Sequence, residues 1–203
     1  MKDTIGKTKL AGVLKNFEKA DRLAAKRFLE SPYFNSSKEL IRLFQEILKL
    51  QERGKPLLKE KLWKKVVPNK EYNDLRFRKY CSDLSKLMER FLIQQALEED
   101  EIQQKILLLG KVNANQIQAE KVASSTANQA MKLLDGYPYR DSSYYLYHYQ
   151  IQKQLYDLEN FDTKRGVRSN IEEISNFLDW FYIREKLRLI TEAESRTKLK
   201  KHL

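Results

Sequence analysis

Few residues in this chain have the type and spacing that chemistry needs. Gly6-Lys7-Thr8 matches the close of a phosphate-binding P-loop, in which backbone N–H groups cradle phosphates and the lysine reaches the outer ones. Such a loop needs another glycine five positions upstream, on the end of a strand. That position is Met1 and no strand pattern leads into it, so the match fails. Acid–base catalysis leans on histidine, and there are two. His202 sits in a basic tail. His148 lies on an apolar helical stripe among tyrosines, where a hydrogen-bonded core histidine is the simpler reading. Glu98 to Glu101 is a run of four acids, but successive helical residues point about 100° apart, so they cannot converge on one ion. No His, Cys or carboxylate grouping has metal-ligand spacing, and no serine stands in a nucleophile elbow. Cys81 falls on an apolar stripe and reads as a small core residue. We therefore expect no enzyme activity, no catalytic residues, no cofactor and no metal.

Two other groupings point to binding. Lys59, Lys61, Lys64 and Lys65 share one short helix, and Lys70, Arg76, Arg78 and Lys79 follow at the start of the next. Two helices joined by a brief turn, with cations near the second, resemble a helix-turn-helix in outline. The connector Val67–Tyr72 is longer than the usual tight turn and lacks its glycine. The case for nucleic acid is thus electrostatic, without base-reading residues. The second grouping is aromatic. Six of eleven tyrosines fall between Tyr137 and Tyr149, and tyrosine joins a large apolar face to a polar tip. Tyr144, Tyr147 and His148 read as core at helical spacing. Tyr145, Tyr149 and Tyr156, with Trp180 and Tyr182, are the candidate partner surface.

The elements that position these groups are helices. The chain has 203 residues, 41% hydrophobic and 33% charged, with only 6 Gly and 4 Pro; strands would need far more turn punctuation. An all-α fold follows. Residues 1–96 carry 23 Lys/Arg against 12 Asp/Glu, whereas residues 97–203 carry 16 of each. All of the +11 net charge therefore sits in the first half, which raises the prior for an anionic partner there. We expect a basic helical domain at 1–97, then antiparallel hairpins at 98–203 beginning a solenoid-like array. A single cysteine allows no internal disulfide, no signal-peptide core precedes Gly12, and no run reaches the roughly 18 apolar residues of a membrane span. A cytoplasmic chain with no membrane association is expected.

Along the chain, Leu10–Leu29 has a continuous apolar stripe and reads as one helix ending before Ser31-Pro32. Ser36 with Glu39 reads as a capping box opening a second. Gly54 closes it, and Pro56 opens a short helix over Leu57–Val67. Asn73 caps a long helix to about Leu97, with Phe77, Tyr80, Leu84, Leu87 and Phe91 inward. Ile102–Leu134 is one helix, or two with a break near Gly110–Asn115; Ala119, Ala123, Ala127 and Ala130 would let it pack closely. Asp141 or Ser142 opens a helix whose stripe is Tyr144, His148, Ile151, Leu155 and Leu158. After a connector at 160–168, Ser169 with Glu172 caps a last helix to about Lys200. From Phe177 to Ile190 that helix is apolar nearly all round, and such a helix must be covered on every side. Few residues remain to cover it, so a further segment, an oligomer or a partner is expected to do so.

Phe28-Leu29-Glu30-Ser31-Pro32-Tyr33-Phe34-Asn35, then Leu62-Trp63-Lys64-Lys65, then Asn73-Asp74-Leu75-Arg76 with Ser82-Asp83-Leu84, resemble an uncharacterised family of bacterial all-helical proteins. The likeness spans most of residues 10–190 and is specific mainly in the first hundred. Members are longer than this chain, so it implies a truncated stretch of a longer helical protein, and it carries over no catalytic residue. The second half also loosely resembles tetratricopeptide-type hairpins, without a consistent 34-residue period. The expected function is a non-enzymatic scaffold or adaptor for protein or peptide partners; the alternative is a nucleic-acid-binding regulator using the basic half.

Overall fold

The computed structural model describes residues 3–115, 119–159 and 171–200. Among them the fold is all-α, and the chain divides into two compact units, Met1–Ala96 and Leu97–Leu203.

The first unit begins with a short extended arm. Ile5 N–H donates to the Leu57 carbonyl at 3.0 Å and Thr4 forms an isolated antiparallel bridge with Leu58, burying Ile5. Thr8, the threonine of the failed P-loop match, caps α1 (Lys9–Lys15) by accepting from Ala11 N–H. The expected single helix over Leu10–Leu29 is two. Glu18 and Asp21 form a reciprocal capping box that starts α2 (Lys19–Glu30), and the break lets Phe17 turn inward against Phe91 at 5.8 Å. α2 ends where Ser31 goes extended ahead of Pro32. The cap of α3 (Lys38–Glu52) is Ser37, one residue later than expected: its Oγ accepts from Leu40 N–H, and Asn35 braces the turn by accepting from Ser37 N–H. Gly54 leaves the helix at φ 60°, the left-handed geometry glycine adopts without steric cost. α4 is Lys59–Val66, shorter than expected because Leu57 and Leu58 are held by the arm. Asn73 accepts from Arg76 N–H and opens α5 (Asp74–Glu98). One core gathers Leu14, Leu29, Leu43, Phe44, Ile47, Leu62, Trp63, Phe77 and Leu84 from all five helices.

In the second unit, Asp100 caps α6 (Glu101–Asn115) by accepting from Gln103 N–H, which gives the acidic run its structural use. α6 runs unbroken through Gly110, and α7 (Ala119–Asp135) follows as a separate helix. Ala123, Ala127 and Ala130 are buried, so α7 packs close on α6. Asp141 caps α8 (Ser142–Glu159) by accepting from Tyr144 N–H. Ile102, Ile106, Leu109, Leu134 and Ile151 complete a three-helix core. Among the described helices, α9 (Ile171–Lys200) packs on α8 alone. The expected cap Ser169, the connector 160–168 and His202 lie outside the described residues, as do the side chains of Ala119 and Leu158. No described helix is long and apolar enough to cross a membrane.

Candidate functional site: the outer face of the last helix

α9 lies antiparallel to α8, and three contacts fix its register. Ser142 Oγ donates to Glu185 at 2.6 Å. Tyr145 stacks on Trp180 with centroids 6.1 Å apart, and His148 stacks on Phe177 at 4.1 Å. These contacts, with Ile174, use one side of α9. The rest of a helix that is apolar all round is left in solvent. Trp180 is 52%, Ile183 45%, Leu187 59% and Ile190 47% exposed, and Leu178, Tyr182 and Leu189 are exposed as well. Isolated apolar residues on a surface are ordinary; a contiguous apolar patch marks an interaction site.

An open groove of about 430 Å³ follows this patch, lined by Asp141, Ser142, Trp180, Ile183, Arg184, Leu187 and Arg188. Its floor is apolar and its rim is charged. Arg184 lies over the Tyr145 ring, 5.2 Å from its centroid, and Arg188 pairs with Glu185 at 2.8 Å. Arg188 and then Ser142 hold the Glu185 carboxyl below its usual range. An apolar floor with a polar, hydrogen-bonded rim is the anatomy of a protein-binding surface.

Of the expected partner-surface residues, Trp180 lines this groove and Tyr145 stacks on Trp180 without lining it. Tyr182 lies on α9 with its hydroxyl accepting from Lys186 at 2.9 Å. Tyr149 and Tyr156 are half-buried further along α8, away from the groove lining. Ile183, Leu187 and Ile190, which the sequence places in the all-round apolar run of this helix but not among the partner-surface residues, complete the face, the spacing Trp180-Ile183-Leu187-Ile190 making them one stripe. Tyr144 and Tyr147 pack against the core. Tyr147 also donates to Asp100 at 2.6 Å; burial, then that bond, push its pKa up. His148 is 7% exposed; its Nε2 lies 3.1 Å from the Tyr144 hydroxyl, while Nδ1 is buried with no hydrogen-bond partner among the described residues.

The basic residues of the first unit divide by helical face. At about 100° per residue, Lys61, Lys64 and Lys65 share one side of α4, and all three are exposed. Lys59 lies on roughly the opposite side, where it pairs with Asp3 at 2.8 Å and Asp74 at 3.1 Å, its side chain only 12% exposed. The hydrogen bonds it donates to Asp3, then to Asp74, raise its pKa. Arg78 pairs with Asp74 at 2.7 Å, and Arg76 donates to the Tyr80 hydroxyl at 3.0 Å. Lys61, Lys64, Lys65, Lys70 and Lys79 are exposed and form no ion pair among the described residues. Trp63 fixes the loop by donating to the Lys70 carbonyl at 2.8 Å. Cys81 packs beside the core, and burial pushes its thiol up to about 11. No three described His, Cys, Asp or Glu side chains are placed to hold a metal ion.

Comparison with known proteins finds no matching family model, no matching curated protein and no matching solved structure.

Proposed function

We propose that this chain is a non-enzymatic helical scaffold whose second unit binds a protein or peptide partner along the outer face of α9. The observation that carries the reading is the stripe Trp180, Ile183, Leu187 and Ile190, each roughly half exposed on a helix that packs, among the described helices, on α8 alone. An amphipathic helix laid into the groove would cover these side chains while its polar edge meets Arg184 and Arg188. In this reading the hairpins of the second unit begin a solenoid-like array, the chain works in the cytoplasm, and it is related to the longer bacterial helical proteins it resembles. The test is display selection of peptides on the full chain, counter-selected on an Ile183→Glu/Leu187→Glu variant. Both positions are exposed, so circular dichroism should be unchanged. Enrichment of amphipathic sequences that the variant does not retain supports the reading. Identical peptide sets from the two baits overturn it.

A second reading, binding of nucleic acid by the first unit, is favoured by Lys61, Lys64, Lys65 and Lys70, exposed cations whose charge is not spent within the fold. Phosphate contacts would make affinity fall steeply with salt. A gel shift with mixed DNA and RNA at low salt tests it: binding that Lys61→Glu/Lys64→Glu/Lys65→Glu abolishes supports it, and no shift at micromolar protein rejects it.

A further inference from the structure

The outward face of α4 carries cations that the fold leaves uncommitted. Leu62, Trp63 and Val66 are buried and fix which side of α4 meets the core. At about 100° per residue, Lys64 then stands roughly 30° to one side of the outward direction, and Lys61 and Lys65 stand roughly 30° and 70° to the other. The Trp63 indole, which leaves α4 on the Lys64 side, donates to the Lys70 carbonyl at 2.8 Å and so brings Lys70 up on that flank. All four lysines are exposed, and none is engaged by another described residue. Glu60 and Glu71 border the patch, which stays net positive. Two cations therefore stand on each flank of one short helix.

The surroundings of the patch select its ligand. The neighbouring rings are already covered: Trp63 is 1% exposed and stacks on Tyr80 at 6.1 Å, Arg76 lies over the Tyr80 ring at 5.6 Å, and Tyr72 donates to Asp74 at 2.7 Å. Single strands bind by stacking their bases on open rings, whereas a duplex keeps its bases inside and presents phosphates. The groups nearby that could read base edges are also used, since Asn73 accepts from Arg76 N–H and Arg78 pairs with Asp74 at 2.7 Å. What remains is lysine, a point charge suited to phosphate without the planar fork that reads bases. Cations on both flanks call for phosphates on both sides of the helix. The major groove of B-form DNA, about 12 Å wide, admits an α-helix between its two strands, and the deep, narrow major groove of A-form RNA does not. All three apolar residues of α4 point inward, which leaves none on this face to anchor in lipid. We propose that α4 lies in the mouth of the major groove of double-stranded DNA, where Lys61, Lys64, Lys65 and Lys70 hold backbone phosphates without reading sequence. The proposal rests on the second reading above and names its ligand.

The test is fluorescence anisotropy of the full chain at low salt with two labelled DNA duplexes of unrelated sequence, their single strands, and an RNA duplex. The two DNA duplexes should bind equally, and the single strands and the RNA several-fold more weakly. Log affinity against log salt should fall with a slope of about −3.5, from about −0.9 for each of four phosphates. Lys61→Gln and Lys64→Gln should each make that slope shallower by about 1. Lys61→Gln/Lys64→Gln/Lys65→Gln should lose most of the binding. Lys111→Gln/Lys121→Gln/Lys132→Gln, which removes the same charge from exposed lysines of the second unit, should retain it. Single strands or duplex RNA bound as tightly as the DNA duplexes would overturn this inference and leave the nucleic-acid reading standing. Equal loss in the two triple variants would overturn the assignment to α4. No binding to any nucleic acid, with or without capture of phosphatidylserine vesicles instead, would overturn both.

Discussion

The imidazole of His148 stacks on the ring of Phe177, with centroids 4.1 Å apart and planes 12° apart. His148 belongs to α8 and Phe177 to α9, so a titratable ring sits inside the contact that holds the last helix. Burial lowers the histidine pKa; Asp135 and Glu173 oppose the shift, and Arg140 adds to it. A base whose folded pKa lies below its unfolded value favours folding fully above the unfolded value, about 6.5 for histidine, and less as pH falls through the folded one. Thermal stability of the second unit should therefore decline from pH 7.5 to pH 5. His148→Phe keeps the stack and removes the titration, so its melting temperature should change less over that range. Equal slopes for the two proteins would refute the assignment.

Trp63 is the largest fully buried side chain of the first unit, and its indole N–H also satisfies the Lys70 carbonyl. Trp63→Ala should cost about 3–5 kcal/mol by cavity formation. Trp63→Phe keeps an aromatic ring but leaves the carbonyl without that donor, and should cost about 1–3 kcal/mol. Urea unfolding of both variants checks the ordering.

Gly54 stands at φ 60° with no atom within 4 Å of where a Cβ would lie. Gly54→Ala meets no clash and pays only the backbone cost of left-handed geometry, about 1 kcal/mol. Gly12 has similar open space without a positive φ. Since it lies inside α1, Gly12→Ala should stabilise by up to about 1 kcal/mol. Denaturant midpoints should move in opposite directions.

Lys59 and Lys61 are two residues apart, and their charges do different work. Lys59→Met removes the partner of Asp3 and Asp74 and should lower the melting temperature clearly. Lys61→Met should leave it unchanged, because that side chain is solvated. Equal effects would show that the arm does not depend on this node.

The distinction between those two lysines shows what the sequence could convey. Periodicity marked α5 and the buried alanines of α7 well, since the 3.6-residue repeat is a property of neighbouring positions. It ran Leu10–Leu29 together because the apolar spacing continues across Asn16–Glu18, and the cap that divides it is Glu18 with Asp21 rather than the usual serine or threonine. It grouped Lys59 with Lys61 because the acids that turn Lys59 inward, Asp3 and Asp74, are distant in sequence. For α9, the apolar residues named the helix that would be left uncovered. Which side faced α8 depended on Tyr145, His148 and Ser142, so the outer stripe became visible only when that contact was in place.

In the function proposed above, the outer face of α9 is open in a single chain and is closed by a partner. Trp180 reports on it directly once the other tryptophan is replaced, in a Trp63→Phe background. At the lowest protein concentration its emission should be red-shifted and readily quenched by acrylamide. Adding a selected amphipathic peptide should shift it to the blue and shield it. Emission that is shielded from the outset, or that the peptide does not alter, would contradict the account.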